Sequence, residues 1–191
     1  MRKTHYGKGW ARFCGRCLKF LGWTAVGGPP PEPKAVMLGV PHTSMADFLI
    51  AYLFYTSLGE VGHVMVKKSL FFWPLGGILR AMGCIPVDRS NSAGLVKSLI
   101  AEMEQDDFFK LAIAPEGTRK PVKRWKSGAI MIARETGVPL YAGYFDWGTK
   151  RISCGEKFPL SGNDKADLAR IQEYYEGLHL TGKHPKNYVT R

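Results

Sequence analysis

The chain lacks a long apolar run. No apolar run reaches the roughly 18–20 residues that a spanning helix needs. The longest, Phe48–Leu58 and Leu70–Leu79, stop at about ten. Charges are scattered through the first 20 residues with no apolar stretch behind them, so the N-terminus does not read as a signal peptide. Neither end carries a lipidation signal. Cysteine is scarce as well. Of four, only Cys14 and Cys17 are closely spaced, which excludes a disulfide framework. Cys14-x-x-Cys17 has no second pair to complete a zinc site and falls in a helical pattern, so no metal is expected. There is no P-loop, G-x-G-x-x-G, G-x-S-x-G or H-E-x-x-H. No internal repeat is visible.

Acid is also in short supply: 16 Asp and Glu stand against 27 Lys and Arg, a net charge of +11 in 191 residues. That excess favours anionic partners such as nucleic acid, a lipid-headgroup surface or phosphorylated small molecules. It is concentrated in two places. Residues 1–34 hold Arg2, Lys3, Lys8, Arg12, Arg16, Lys19 and Lys34 against Glu32 alone. Residues 110–126 hold Lys110, Arg119, Lys120, Lys123, Arg124 and Lys126 against Glu116 alone. Nucleic-acid binding would want aromatics interleaved for stacking. The second patch offers only Trp125, so nucleic acid is not the expected partner.

Hydrophobic residues make up 45% of the chain, enough for one ordinary domain with a core. Trp10, Phe13, Cys14, Cys17, Leu18 and Leu21 recur at helical spacing, with Lys8, Arg12, Arg16 and Lys19 opposite. This predicts an amphipathic helix, packed either on the protein's own core or in a membrane interface. Gly27-Gly28-Pro29-Pro30-Pro31 then reads as a stiff linker. The expected division is an arm over 1–28 and a domain over 29–191.

From residue 35 strands and helices alternate. Strands are predicted at Ala35–Val40, Val61–Val66, Cys84–Val87, Leu111–Ala114, Leu140–Phe145 and Arg151–Cys154. Helices are predicted at Ser44–Leu58, Pro74–Met82, Ala93–Gln105 and Ser127–Thr136, the last capped by Ser127 and stopped by Gly137. A final helix opens at Asn163 or Asp164. The pattern predicts an α/β fold: a mixed, largely parallel sheet flanked by helices, with the N-terminal amphipathic helix added. The apolar segments Phe48–Leu58 and Leu70–Leu79 read as core or as the lining of an acyl-chain groove. Ligands of such sheets sit at the carboxyl ends of strands.

Two loops there carry chemistry. Pro41-His42-Thr43-Ser44-Met45-Ala46-Asp47 could fold an imidazole back onto a carboxylate in the first turn of the next helix. A carboxylate on one ring nitrogen leaves the other free as a base, and imidazole titrates near neutrality. Ser44-x-x-Asp47 is also a capping box, so Asp47 has a second reading as a cap. The other loop is Pro115-Glu116-Gly117-Thr118-Arg119. Gly117 permits positive φ, Arg119 offers a fork suited to phosphate, and Glu116 could hold the arginine.

His42-Thr43-Ser44-Met45-Ala46-Asp47 resembles the His-x4-Asp motif of the glycerolipid acyltransferases, the 1-acylglycerol-3-phosphate acyltransferase family, in its compact bacterial branch. Pro115-Glu116-Gly117-Thr118-Arg119 resembles that family's second hallmark. Lys67-Lys68-Ser69-Leu70 through Pro86-Val87-Asp88-Arg89 is similar to its intermediate block, and Gly137-Val138-Pro139-Leu140 to its late one. The likeness covers about residues 35–145. Two positions depart from it: Pro41 precedes the histidine where asparagine is common, and Ala114 replaces a phenylalanine.

The resemblance implies an O-acyltransferase. It would move an acyl group from acyl-CoA or acyl-carrier protein to the hydroxyl of a lysophospholipid such as 1-acylglycerol-3-phosphate. Glycerol-3-phosphate or a lyso-aminolipid is the alternative acceptor, and a non-catalytic headgroup-binding module the alternative class. His42 would be the base and Asp47 its orienting carboxylate. Glu116, Gly117, Thr118, Arg119, Arg89 and Lys67 would bind the acceptor. No cofactor is implied. The expected location is the cytoplasmic face of a membrane, as a peripheral or monotopic protein on an anionic surface.

Overall fold

Lys34–Leu38 and Phe109–Ile113 are nearly continuous apolar runs, as strands covered on both faces need to be. They form the centre of the sheet in a computed structural model that describes residues 5–88 and 92–189. The order of elements is α1 (Lys8–Phe20), β1 (Thr24–Val26), β2 (Lys34–Leu38), α2 (Ala46–Ser57), β3 (Gly62–Lys67), α3 (Leu75–Ala81), β4 (Cys84–Val87) and α4 (Ser92–Gln105). Then come β5 (Phe109–Ile113), α5 (Gly128–Thr136), β6 (Leu140–Tyr141), β7 (Tyr144–Asp146), β8 (Arg151–Ser153), β9 (Lys157–Phe158) and α6 (Asp164–Gly177). The fold is α/β, as expected.

The main sheet runs β4-β3-β5-β2-β6-β9. Every pairing up to β6 is parallel, and β9 closes the edge antiparallel. The strand expected over Leu140–Phe145 is broken in two. Its second half leaves for a small sheet, β1-β8-β7. Glycines permit the switch. A Cβ at Gly143 would meet the Leu38 carbonyl oxygen, and one at Gly155 the Ala142 carbonyl oxygen.

Helices cover both faces. Cys14, Leu18 and Trp23 from the N-terminal segment join Ile50 and Phe54 of α2 over Met37. Leu99 of α4, Ile132 of α5 and Tyr175 of α6 pack on the other side over Val36 and Leu111. α5 ends at Gly137 in the left-handed conformation, and the Asn163 side chain accepts from the Lys165 and Ala166 amides at the start of α6. Ser127 precedes α5 without capping it; its hydroxyl points instead to the Met131 sulfur.

Two expectations need correcting. The first is Lys110, counted in the second basic patch. It is buried, and its ammonium donates to Glu60 Oε2 at 2.6 Å and to the Pro30 carbonyl at 2.7 Å. It ties the proline linker to the sheet instead of adding to a surface field. The second is Leu70–Leu79 as core: Leu79 is buried, but Leu70, Phe72, Trp73 and Ile78 are exposed. The arm over 1–28 meets the rest of the chain through α1 and β1. α1 packs on α2, and β1 pairs with β8. The basic side of α1 also has local work. Lys8, Arg12, Arg16 and Lys19 line an open groove of about 670 Å³ against Ser57–Gly59. There they face the negative end of α2, whose last turn has no basic residue.

Candidate active site

Parallel strands end on one side of a sheet, so the loops after β2, β3 and β5 gather there. The loops after β2 and β5 carry His42 and Glu116, and Lys67 is the last residue of β3. His42 Nδ1 lies 3.3 Å from Asp47 Oδ2. The carboxylate is almost fully enclosed, at 1% exposure, while the imidazole side chain is 28% exposed. One ring nitrogen is therefore held by a buried acid, and the ring still reaches solvent.

Asp47 sits in the first turn of α2 and serves both readings of it. Its Oδ2 accepts the Thr43 amide at 2.8 Å and the Ser44 amide at 2.7 Å, closing the loop. Its Oδ1 accepts the Trp147 indole N–H at 2.8 Å. Three N–H donors fix its orientation toward His42.

Glu116 does something the sequence did not indicate. It does not hold Arg119. Its carboxyl oxygens accept the His42 backbone amide at 2.9 and 3.2 Å, joining the two loops. It is only 6% exposed. Burial raises its carboxyl to about 8; the Asp47 charge adds to the shift and the His42 amide opposes it. A consequence for stability follows. The unfolded carboxyl releases its proton near 4.5, while the native one keeps it to about 8. Glu116 therefore contributes fully below the lower value, and its contribution falls as pH rises toward the upper one. Glu116→Gln, which keeps an acceptor for His42 but cannot ionise, should flatten this slope. Melting temperatures of both proteins between pH 5 and 8 should converge at low pH and diverge, with the variant higher, near pH 8.

The rest of the second loop is shaped by its backbone. Gly117 has φ 66°, and the Lys126 side chain lies against it. The Thr118 hydroxyl accepts the Lys120 amide. Arg119 is exposed, and none of the described residues forms an ion pair with it. Lys67 is exposed at the end of β3. Arg89 lies outside the described residues. The structure thus brings together His42, Asp47 and Glu116, and leaves Arg119 and Lys67 open to solvent.

Two contributors escaped the sequence reading. Trp147, one residue past β7, holds Asp47. Its ring is flanked by the ammonium groups of Lys150 at 4.6 Å and Lys183 at 4.9 Å, with Trp23 edge-on at 4.9 Å. Thr43 is gripped by the C-terminal segment. Its hydroxyl accepts the His184 amide at 3.2 Å, and Gly182 leaves room for its side chain. Asp146 fastens that segment by accepting the Thr181 amide at 2.9 Å. Looking for an aromatic donor just past each strand end would have flagged Trp147. Nothing local marks Gly182.

Among the described residues there is no group of three or more His, Cys, Asp or Glu suited to a metal ion. No helix there is long and apolar enough to cross a membrane.

Comparison with known proteins adds two findings. A family model described as Acyltransferase matches residues 30–145, a span that holds both loops. The fold is similar to the crystal structure of the 1-acyl-sn-glycerophosphate (LPA) acyltransferase PlsC from Thermotoga maritima. The TM-score is 0.57 and the identity 19%, over 90% of this chain and 78% of that one. No curated protein sequence matches significantly.

Proposed function

The chain belongs to the acyltransferase family, and from that premise we propose that it transfers a fatty acyl group from a thioester, acyl-CoA or acyl-carrier protein, to the hydroxyl of a lysophospholipid such as 1-acylglycerol-3-phosphate. The observation that carries the proposal is the His42–Asp47 pair, with its ring exposed at the carboxyl edge of the sheet and its loop bound to the Glu116 carboxyl. In this reading the free nitrogen of His42 takes the proton of the acceptor hydroxyl. The hydroxyl oxygen attacks the thioester carbonyl, and the tetrahedral intermediate collapses by breaking the C–S bond. The imidazolium then returns the proton to the departing thiolate. Asp47 keeps the ring in the required tautomer and balances the imidazolium charge. The substrate hydroxyl stands where a serine would stand in a triad, so no acyl-enzyme forms.

Arg119 is assigned to the acceptor phosphate, with Lys67 and Lys126 contributing to the field. Among the described residues no carboxylate pairs with Arg119, which suits a residue that receives an anion. The proposed location is a membrane surface, with the active site facing the lipid.

The direct test is release of free thiol from acyl-CoA with a panel of acceptors: lysophosphatidic acid, glycerol-3-phosphate and a lyso-aminolipid. Lysophosphatidic acid should give the highest kcat/KM, and no release with any acceptor would overturn the reading. Arg119→Ala should raise the KM for the phosphate-bearing acceptor about tenfold or more, the scale of a lost charge-assisted pair. The KM for the thioester should move little. A change confined to the thioester KM would remove Arg119 from the acceptor site.

A further inference from the structure

Large apolar side chains are exposed very unevenly. Among the described residues these are Trp10, Phe13, Phe20 and Leu21 at α1, Met45 and Leu49 at the start of α2, and Leu70, Phe72, Trp73 and Ile78 around α3. Met131 is the single exception elsewhere. Contacts join the three helices into one layer. Trp10 donates to the Tyr52 hydroxyl, Tyr6 packs edge-on against Tyr52, and the Tyr6 hydroxyl donates to the Ala81 carbonyl at the end of α3. The opposite layer, of α4, α5 and α6, shows almost no such exposure.

The connection from β3 to α3 stands out within that layer. Trp73 is 91% exposed and Phe72 58%. They are displayed on a built turn, not on a loose one. The Phe71 amide donates to the Lys68 carbonyl, the Gly76 amide to Phe72 at 2.6 Å and the Gly77 amide to Pro74. Gly76 is pressed so close to the Phe71 backbone that a side chain would not fit. A rigid turn that holds two aromatic rings in water is costly unless something apolar receives them.

Charge indicates what receives them. Residues 61–87 contain Lys67, Lys68 and Arg80 and no carboxylate. All three are exposed beside the aromatics, with the Arg80 guanidinium 5.2 Å above the Phe71 ring. Aromatics at the tip with cations behind them match a bilayer interface that contains anionic lipid. Position fits as well. β3 pairs with β5 through Val64 and Ala112. Continued in that register, Lys67 comes level with Pro115, beside the Glu116 loop. The turn therefore rises from the same edge of the sheet as His42.

We propose that the β3–α3 connection is a bilayer-inserting wedge, in which Phe72 and Trp73 enter the acyl boundary while Lys67, Lys68 and Arg80 lie among anionic headgroups. The inference rests on the functional reading for its purpose, since a lipid acceptor must come from a bilayer. Its test needs no turnover.

The full-length protein is mixed with sucrose-loaded vesicles of phosphatidylcholine containing one-fifth phosphatidylglycerol. The double variant Phe72→Ser/Trp73→Ser should bind about a hundredfold more weakly, since each buried aromatic ring contributes roughly a factor of ten to partitioning. Both side chains lie in solvent, so the melting temperature should hold. Turnover of a water-soluble short-chain acceptor should stay within twofold. Brominated phosphatidylcholine should quench the emission that Trp73→Phe removes. Higher salt should weaken wild-type binding. Binding of the double variant within twofold of wild type overturns the proposal. So does a full loss on Trp10→Ser/Phe13→Ser with none at the wedge, or a wild-type dimer that the wedge variant dissolves without any vesicle effect. Vesicle binding without thioester cleavage would sink the functional reading and leave the wedge standing.

Discussion

His42→Ala is expected to lower kcat by about 10²–10⁴-fold, the range lost with a general base, in a protein that still folds. The fold should survive because the ties at this position run through the backbone. The bonds to Glu116 start from the His42 amide, which alanine keeps. The Asp47 carboxylate keeps its donors from Thr43, Ser44 and Trp147. Only the imidazole is lost, and it is partly in solvent already. The melting temperature should therefore move little, and both KM values should stay within a few-fold, since the base acts in the transition state more than in binding. The assay is thiol release under saturating substrates, with circular dichroism to verify folding. Activity within tenfold of wild type would remove His42 from the mechanism.

Asp47→Asn should have the second-largest effect, approaching the ~10⁴-fold seen when a triad histidine loses the carboxylate that fixes its tautomer. Here the substitution also sets a donor against donors. Every protein group around this carboxylate that the geometry identifies is an N–H, apart from the His42 ring. An asparagine oxygen can satisfy the Thr43 and Ser44 amides only by turning its NH₂ toward the Trp147 indole N–H. Turned the other way, it leaves two loop amides facing an NH₂. Some destabilisation should follow, of about 1–3 kcal/mol for an unsatisfied buried group. Non-additivity separates catalysis from stability. If Asp47 acts through His42, the variant carrying both His42→Ala and Asp47→Asn should be no slower than His42→Ala alone. A double variant slower by the product of the two single effects would mean that the residues act independently.

The parts of this site that the sequence made legible are local ones. A histidine and an aspartate five residues apart can meet because a strand end and the first turn of a helix fold that stretch back on itself. The Gly117 turn is visible because a left-handed residue favours glycine. The alternation of strands and helices gave the parallel sheet, and with it the edge on which to look. The parts that stayed hidden depend on long-range closure. Trp147 meets Asp47 across 100 positions, and a single indole in a loop leaves no periodic trace. The Glu116–His42 contact spans 74 positions, and its backbone donor has no side-chain signature at all. Lys110 read as surface charge because nothing nearby in sequence announces Glu60 and Pro30 as its partners. Leu70–Leu79 read as core or groove lining because apolar composition does not say which way a turn points.

The grip of residues 181–184 on Thr43 has a consequence in time. A ribosome makes His42, Asp47, Glu116 and Trp147 before it makes this strap. Until Thr181 has joined Asp146 and His184 has reached the Thr43 hydroxyl, the nascent chain holds every proposed reacting group without the brace that sets their loop. Competence is thus tied to residues 181–184, so a chain stalled short of them would carry the whole motif and lack the assembled site.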